Sequence, residues 1–290
     1  MITYGHSQSR SKACTLPFDY PSSPVVSVVI PVYDAADVIG DAVASIQAQT
    51  FPDWEAILVD DGAQVGSTQT QVLAAIAAAD PRVTVVATAG KQGAGPARNL
   101  GMETGTGQYI AFLDADDLWH PRKLELQLAA MRAQSAPVSC TAFDRVNVAT
   151  GKTTTIGVPA TVTRSQLLRT NVIACSSAIF DRAHFGNRQM PALRRRQDFA
   201  FWLSLLADGS QAIGVPFPLM TYRQMPTSLS APKHKAARDT WTMYRAHLGL
   251  NPVVASYYFG SYALRGVARH FAPGLARKLG WVHSTRPVPQ

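Results

Sequence analysis

The sequence predicts an α/β fold, a mostly parallel mixed sheet flanked by helices, with a helical C-terminal extension. Three observations lead there. Short β-branched runs alternate with helical periodicity from Val25 to Leu113. The apolar runs are nearly continuous, as in strands covered on both faces. The stretch 232–290 carries aromatic and basic residues within helical segments.

Val25-Val26-Ser27-Val28-Val29-Ile30, closed by Pro31, is the first strand. Val38, Ile39, Ala42, Val43 and Ile46 recur at helical spacing and predict a helix over 36–49. Ala56 to Val59 is the second strand. A helix over 67–79, a strand over 83–87, a helix over 95–104 and a strand over 109–113 continue the alternation. Right-handed crossovers then bring the carboxyl ends of the parallel strands to one rim, where ligands collect in such sheets. The segments Pro31-Val32-Tyr33-Asp34, Asp60-Asp61-Gly62 and Asp114-Ala115-Asp116-Asp117 all follow strands, so all three are expected there.

Beyond this half the pattern weakens. A helix over 121–134, short strands within 138–162, a strand from Ile173 to Phe180, a helix from Asp198 to Leu206 and a strand from Leu219 to Arg223 are expected. The domain reading is a loose leader over 1–24, one domain over 25–231 divided at 119/120, and a basic aromatic tail over 232–290.

Composition removes several classes of function. At 47% hydrophobic and 16% charged residues over 290 positions, the chain is neither disordered nor too short for a substantial core. Its three cysteines, Cys14, Cys140 and Cys175, form neither a disulfide framework nor a metal-ligand spacing, which fits a reducing compartment. The six histidines from His120 to His283 also lack ligand spacing. The net charge of +8 is concentrated at one end, because residues 182–290 hold 15 basic and three acidic side chains. That gradient suggests an anionic partner for the tail. No nucleic-acid-binding module is visible, so a lipid surface is favoured over nucleic acid. The uncharged stretch from Ala246 to Leu264 is interrupted by Gly249, Asn251, Pro252 and Gly260 and reads against a membrane span.

The acidic turns suggest chemistry. Asp114, Asp116 and Asp117 concentrate negative charge that Mg²⁺ or Mn²⁺ would offset, with coordination positions left for substrate phosphates. An acidic turn capping the next helix is the plainer reading. Asp60 or Asp61 could accept a hydrogen bond from a base or ribose, or simply cap a turn. Tyr33 could stack on a base or belong to the core. Gly93-Ala94-Gly95 opens a helix with Arg98 in its first turns, an arrangement suited to a diphosphate. It matches neither a GK[ST] phosphate loop nor a dinucleotide fingerprint. Arg194-Arg195-Arg196 could pair with phosphates or form a solvated face.

The runs SVVIPVYDAADVIGDAVASIQAQTFPDWEAILVDDG and GPARNLGMETGTGQYIAFLDADDLWHPRKLELQ, followed by RRQDFAFWLSLL and YRQMPTSLS, resemble the GT-A domain of a family 2 glycosyltransferase over about 25–231. The resemblance implies that Pro31, Tyr33, Asp60, Asp61, Arg98, Asp114 and Arg223 line the nucleotide site. It further implies that Asp116 binds Mn²⁺ or Mg²⁺, that Asp198 is the catalytic base, and that Arg223 and Ser228 lie on a loop folding over the diphosphate. The chain departs from the pattern at Ala63-Gln64-Val65 and at Gln197, which leaves Asp198 as the only carboxylate at the base position.

The implied activity is inverting, metal-dependent transfer from a nucleotide-diphosphate sugar, UDP favoured, to a hydroxyl on a glycan or lipid-linked acceptor. Surface polysaccharide or glycolipid assembly is the implied setting. The implied location is cytoplasmic, with the tail offering peripheral contact to the inner face of the membrane. A sugar-1-phosphate nucleotidyltransferase would need a glycine-rich triphosphate loop near the first strand, which is absent. A non-catalytic glycan-binding or sugar-nucleotide-binding component is the alternative outside enzymes, and the retained acidic residues argue against it.

Overall fold

The computed structural model describes residues 25–224 and 233–289. The expected leader and Ser228 lie outside these residues. Ten strands form one sheet in the order β3-β2-β1-β4-β9-β6-β10-β5, with β7 beside β6 and β8 beside β10. The first four are β1 (Val26–Val32), β2 (Trp54–Asp60), β3 (Val83–Ala87) and β4 (Tyr109–Phe112), all mutually parallel. The others are β5 (Leu118–Trp119), β6 (Val138–Asn147), β7 (Thr153–Ile156), β8 (Thr161–Val162), β9 (Ile179–Asp181) and β10 (Ala212–Gln224). The long β6–β10 pairing is parallel, whereas the antiparallel pairings involving β5, β7, β8 and β9 are short.

The alternation in the first half gives α1 (Ile39–Gln47), α2 (Thr68–Ala79) and α3 (Ala94–Thr104) between the strands. The predicted stripe of α1 is its buried face, since Ile39, Ala42, Val43 and Ile46 are all inaccessible or nearly so. Helix α3 lies close against the sheet because Gly101 has no side chain there. A Cβ at Gly101 would stand 2.3 Å from Cγ1 of Val29. Parallel pairing places the ends of β1, β2 and β4 on one rim, as expected. Pro31 sits past the last residue that β1 pairs with β4, so its missing N–H interrupts no ladder on that side.

Two expectations in the second half fail in detail. Only the end of Ile173–Phe180 is a strand. Cys175–Ser177 forms a 3₁₀ turn instead, with Ser177 Oγ donating to the Ala174 carbonyl and Ser176 Oγ donating to Asp117. Such side-chain bonds compete with a ladder. The expected short strands are also longer: β6 has ten residues and β10 has 13. Pro216 and Pro218 hide β10 from a periodicity reading, and the register shifts around Pro218 accommodate them.

Helices α4 (Lys123–Ala133), α5 (Arg164–Arg169), the short α6 (Arg182–Phe185) and α7 (Gln197–Leu205) cover this half. Phe199, Phe201 and Trp202 of α7 are fully buried, and Phe201 and Trp202 pack on Phe112 and each other. Helices α8 (Lys233–Thr242), α9 (Pro252–Phe271) and α10 (Pro273–Lys278) follow, with a wide helical turn at Met243–His247 after α8. The tail is packed on the core. Met243, Tyr244 and Ala255 are buried in the cluster that contains α7, with Trp241, Tyr258, Phe259 and Tyr262 against it. Residues beyond α10 return to the sheet, where Arg286 N–H donates to the Pro216 carbonyl at 2.9 Å.

Candidate active site

The rim of β1, β2 and β4 carries the predicted groups on strand ends, but they do not all face one space. Asp60 is buried and accepts hydrogen bonds from Gln69 Nε2 at 2.8 Å and from the Ala63 N–H at 3.0 Å. Its carboxylate therefore fastens the turn to α2. Asp61, also buried, accepts from the N–H groups of Gln92 and Gly93 at 2.8 and 2.7 Å and from Thr88 Oγ1 at 3.0 Å. It ties the entry of α3 to the end of β2. Gly62 makes this approach possible, because its φ is +92° and a Cβ would meet Lys91 N at 2.2 Å. Tyr33 is 49% exposed, with Lys91 Nζ 3.6 Å from its ring centre. It lines an open cavity of about 450 Å³ together with Asp34, Gly62 and Gln69.

The second group surrounds Arg98. This guanidinium is buried on α3 and pairs with Asp114 at the end of β4. The two line a cavity of about 450 Å³ with Asp198, Tyr222 and Arg194, Arg195 and Arg196. The three consecutive arginines therefore line a cleft, with Arg194 exposed and Arg195 and Arg196 half-buried. Arg196 holds a left-handed backbone, φ +64°, immediately before α7 begins. Asp198 then falls in the first turn of that helix. Burial pushes its carboxyl above the ordinary carboxylate range, while Arg98 and the Phe199 N–H oppose the shift.

The acidic turn after β4 is electrostatically crowded. Burial raises Asp116, and the charge of Asp114 raises it further. Asp117 is raised well above the ordinary range, first by burial and then by Asp114. Asp117 is occupied, accepting from Ser176 Oγ at 2.6 Å and from the Arg223 N–H at 3.3 Å. Ser176 Oγ also accepts from the Asp114 N–H at 3.0 Å. Arg223 Nε donates to the Asp116 carbonyl and its Nη1 pairs with Asp41 at 2.8 Å. Arg223 thus clamps the turn from β10, and among the described residues no hydrogen bond from another residue engages the Asp116 carboxylate.

Among the described residues no three acidic, cysteine or histidine side chains form a ready metal cage. The donor set still fits a divalent cation that takes few protein ligands. Hard carboxylate oxygens repel one another at the turn, and Asp116 is uncommitted. The sequence signal missed Ser176, whose two contacts organise the turn, because it lies inside an apolar run that reads as strand. Asp117 was visible in the acidic run, but its inward orientation was not.

The model for "Glycosyl transferase family 2" matches residues 27–191. TuaG of Bacillus subtilis (strain 168), a glycosyltransferase assigned to teichuronic acid biosynthesis, is 38% identical over 247 residues, covering 85% of this chain and 97% of TuaG. WfgD of Escherichia coli, named as a UDP-Glc:α-D-GlcNAc-diphosphoundecaprenol β-1,3-glucosyltransferase, is 28% identical over 85% of this chain and 95% of its own length. Two solved structures share the fold. The mannosyltransferase PcManGT from Pyrobaculum calidifontis, in complex with GDP-Man and Mn²⁺, superposes with a TM-score of 0.62 at 17% identity over 92% of this chain and 84% of its own. Residues 1–349 of S. aureus TarS with UDP-GlcNAc give 0.61 at 18% identity over 85% and 72%.

Proposed function

The chain belongs to glycosyl transferase family 2 and is a glycosyltransferase, and from that premise we propose that it carries out metal-dependent, inverting transfer from a UDP-sugar, with Asp198 as the base. The carrying observation is that Asp198 shares a cleft with Arg98 and Asp114 at the carboxyl rim of the sheet. An acceptor hydroxyl is too weak an acid to attack a sugar carbon unaided near neutral pH. In the proposed step the hydroxyl oxygen bonds to the anomeric carbon and its proton passes to an Asp198 oxygen. The bond to the diphosphate breaks, and its electron pair leaves with the diphosphate. One displacement from the opposite face inverts the centre.

Arg98 and the Arg194–Arg196 run supply positive charge where the leaving diphosphate develops negative charge. Mn²⁺ or Mg²⁺ held by Asp116 would add to that stabilisation. Tyr33 and Asp61 lie beside the space taken by the nucleoside in this reading, with Pro31 at its edge. Asp60 acts through the turn that it fastens. Clustering of Asp116 with Asp114, and the Mn²⁺ in the PcManGT complex, support metal dependence. UDP in the names of WfgD and the TarS complex supports that nucleotide, and the names of TuaG and WfgD support a surface-polysaccharide or lipid-linked acceptor. A screen of nucleotide sugars for Mn²⁺-dependent hydrolysis tests the reading. Hydrolysis of a UDP-sugar that chelation abolishes is expected, and unchanged turnover after chelation would contradict it.

The tail supports a peripheral position on a membrane. Among the described residues no helix is long and apolar enough to cross one. The outer face of α9 and α10 nevertheless exposes Val253, Tyr257, Leu264, Val267, Phe271 and Leu275, close in sequence to Lys278. An apolar stripe beside a cation suits the headgroup level of an anionic bilayer. Co-sedimentation with vesicles containing phosphatidylglycerol, weakened by Leu264→Glu, is the expected result. Equal sedimentation of the variant would contradict it.

A further inference from the structure

Asp198 lines two cavities. One is the cleft with Arg98 and Asp114. The other, about 620 Å³, is walled by β6, β7, the loop 171–174 and the end of the tail, and Asp198 is the lining residue it shares with the first. Its lining divides by chemistry. Phe143, Ile156, Ile173 and Trp281 are apolar, while Arg145, Arg269 and Arg277 are cationic. Asp198 is the sole carboxylate among the described lining residues.

These three arginines are open to solvent and have no acidic partner in an ion pair among the described residues. Partial burial lowers the pKa of Arg269, Tyr262 opposes that and Arg145 adds to it, while burial followed by Arg269 and Arg265 lowers that of His283. Cations brought together without acids mark a place for an anion. The wall that carries two of them is firmly seated. A Cβ at Gly157 would stand 2.2 Å from the His283 carbonyl oxygen, so the returning chain packs against bare backbone. Arg265 stacks on Trp281 with its guanidinium carbon 5.0 Å from the ring centre.

We propose that this second cavity is the acceptor site and that it selects an acceptor bearing a phosphate or diphosphate, held by Arg145, Arg269 and Arg277 in a cavity that shares Asp198 with the donor cleft. The assignment rests on the transferase reading above and adds a ligand class and residues of the tail, which lie outside the family match. The volume suits a sugar with its phosphates. The apolar wall receives the sugar face or the first carbons of a lipid, and Asp198 stands between acceptor hydroxyl and donor.

Calorimetric titration of the full chain, with the donor cleft saturated by UDP and Mn²⁺, tests it with farnesyl diphosphate, inorganic pyrophosphate and farnesol. Farnesyl diphosphate is expected to bind and farnesol not to bind. Arg269→Gln with Arg277→Gln should weaken farnesyl diphosphate at least ten-fold while UDP affinity changes less than two-fold. Gly157→Ala, which displaces the His283 backbone, should also weaken it. Pyrophosphate binding as tightly as the prenyl ester would support the site and put recognition in the phosphates alone. Absence of binding to the wild type, or equal binding by the double variant, would overturn the proposal. Failure of the transferase reading looks different: no nucleotide affinity or turnover, with prenyl diphosphate binding intact.

Discussion

The Arg98–Asp114 pair has an asymmetry that substitution exposes. The Arg98 side chain is 5% exposed and the Asp114 side chain 33%. Removing one partner costs according to what is left behind. In Asp114→Ala a buried guanidinium, whose Nε already lacks a partner, is left with Asp198 as the remaining nearby carboxylate. Stranding a buried charge costs roughly 3–5 kcal/mol, and the residual attraction of Asp198 puts this case at about 3 kcal/mol. In Arg98→Met the apolar replacement fills similar volume near Phe112, and Asp114 keeps its access to water. The cost there is about 1 kcal/mol. For a chain of this size each kcal/mol moves Tm by about 2–4 °C, so falls of roughly 6–12 °C and 2–4 °C are expected. Thermal unfolding followed by circular dichroism measures both. Equal falls, or a larger one for Arg98→Met, would refute the reasoning.

Three further outcomes are expected. Because the Asp198 carboxyl is raised and a base must be deprotonated, kcat/KM should rise with pH through a limb lying above the ordinary carboxylate range. The same raised value favours the folded state at low pH, an advantage lost as pH climbs through the folded pKa, and an acid limb at ordinary carboxylate pH would contradict both statements. Gly101→Ala should destabilise by about 1–3 kcal/mol in urea titration, since its methyl would overlap Val29. Gly260→Ala on exposed α9, with nothing within 4 Å of the new methyl, should stabilise by about 0.5–1 kcal/mol.

The first half of the fold was legible because its physics is local. Nearly uninterrupted apolar strands and the Ile39–Ile46 stripe leave one solution, and parallel connection then delivers the acidic turns to one rim. The second half is organised by long-range contacts. Strand β10 begins at Ala212, far along the chain from the end of β6 at Asn147, and returns beside it despite two prolines, while Ser176 leaves strand geometry to bind Asp117. The residues of the site were visible as types: Asp198, Arg98 and Asp114 do share a cleft. Their division of labour was not. Whether Asp60 points into a cleft or holds Gln69 depends on a helix nine residues away, and nothing in Asp-Asp-Gly encodes it. The triple arginine likewise gave no sign that a left-handed turn at Arg196 would bring it to the cleft.

The base assignment is tested most directly by Asp198→Asn, which keeps the shape of the side chain and removes its proton affinity. UDP-sugar affinity, measured by titration with Mn²⁺ present, should stay within a few-fold of the wild type, while transfer to acceptor falls by roughly 10²–10⁴. A variant that binds donor and still transfers at near wild-type rate would remove Asp198 from the chemistry.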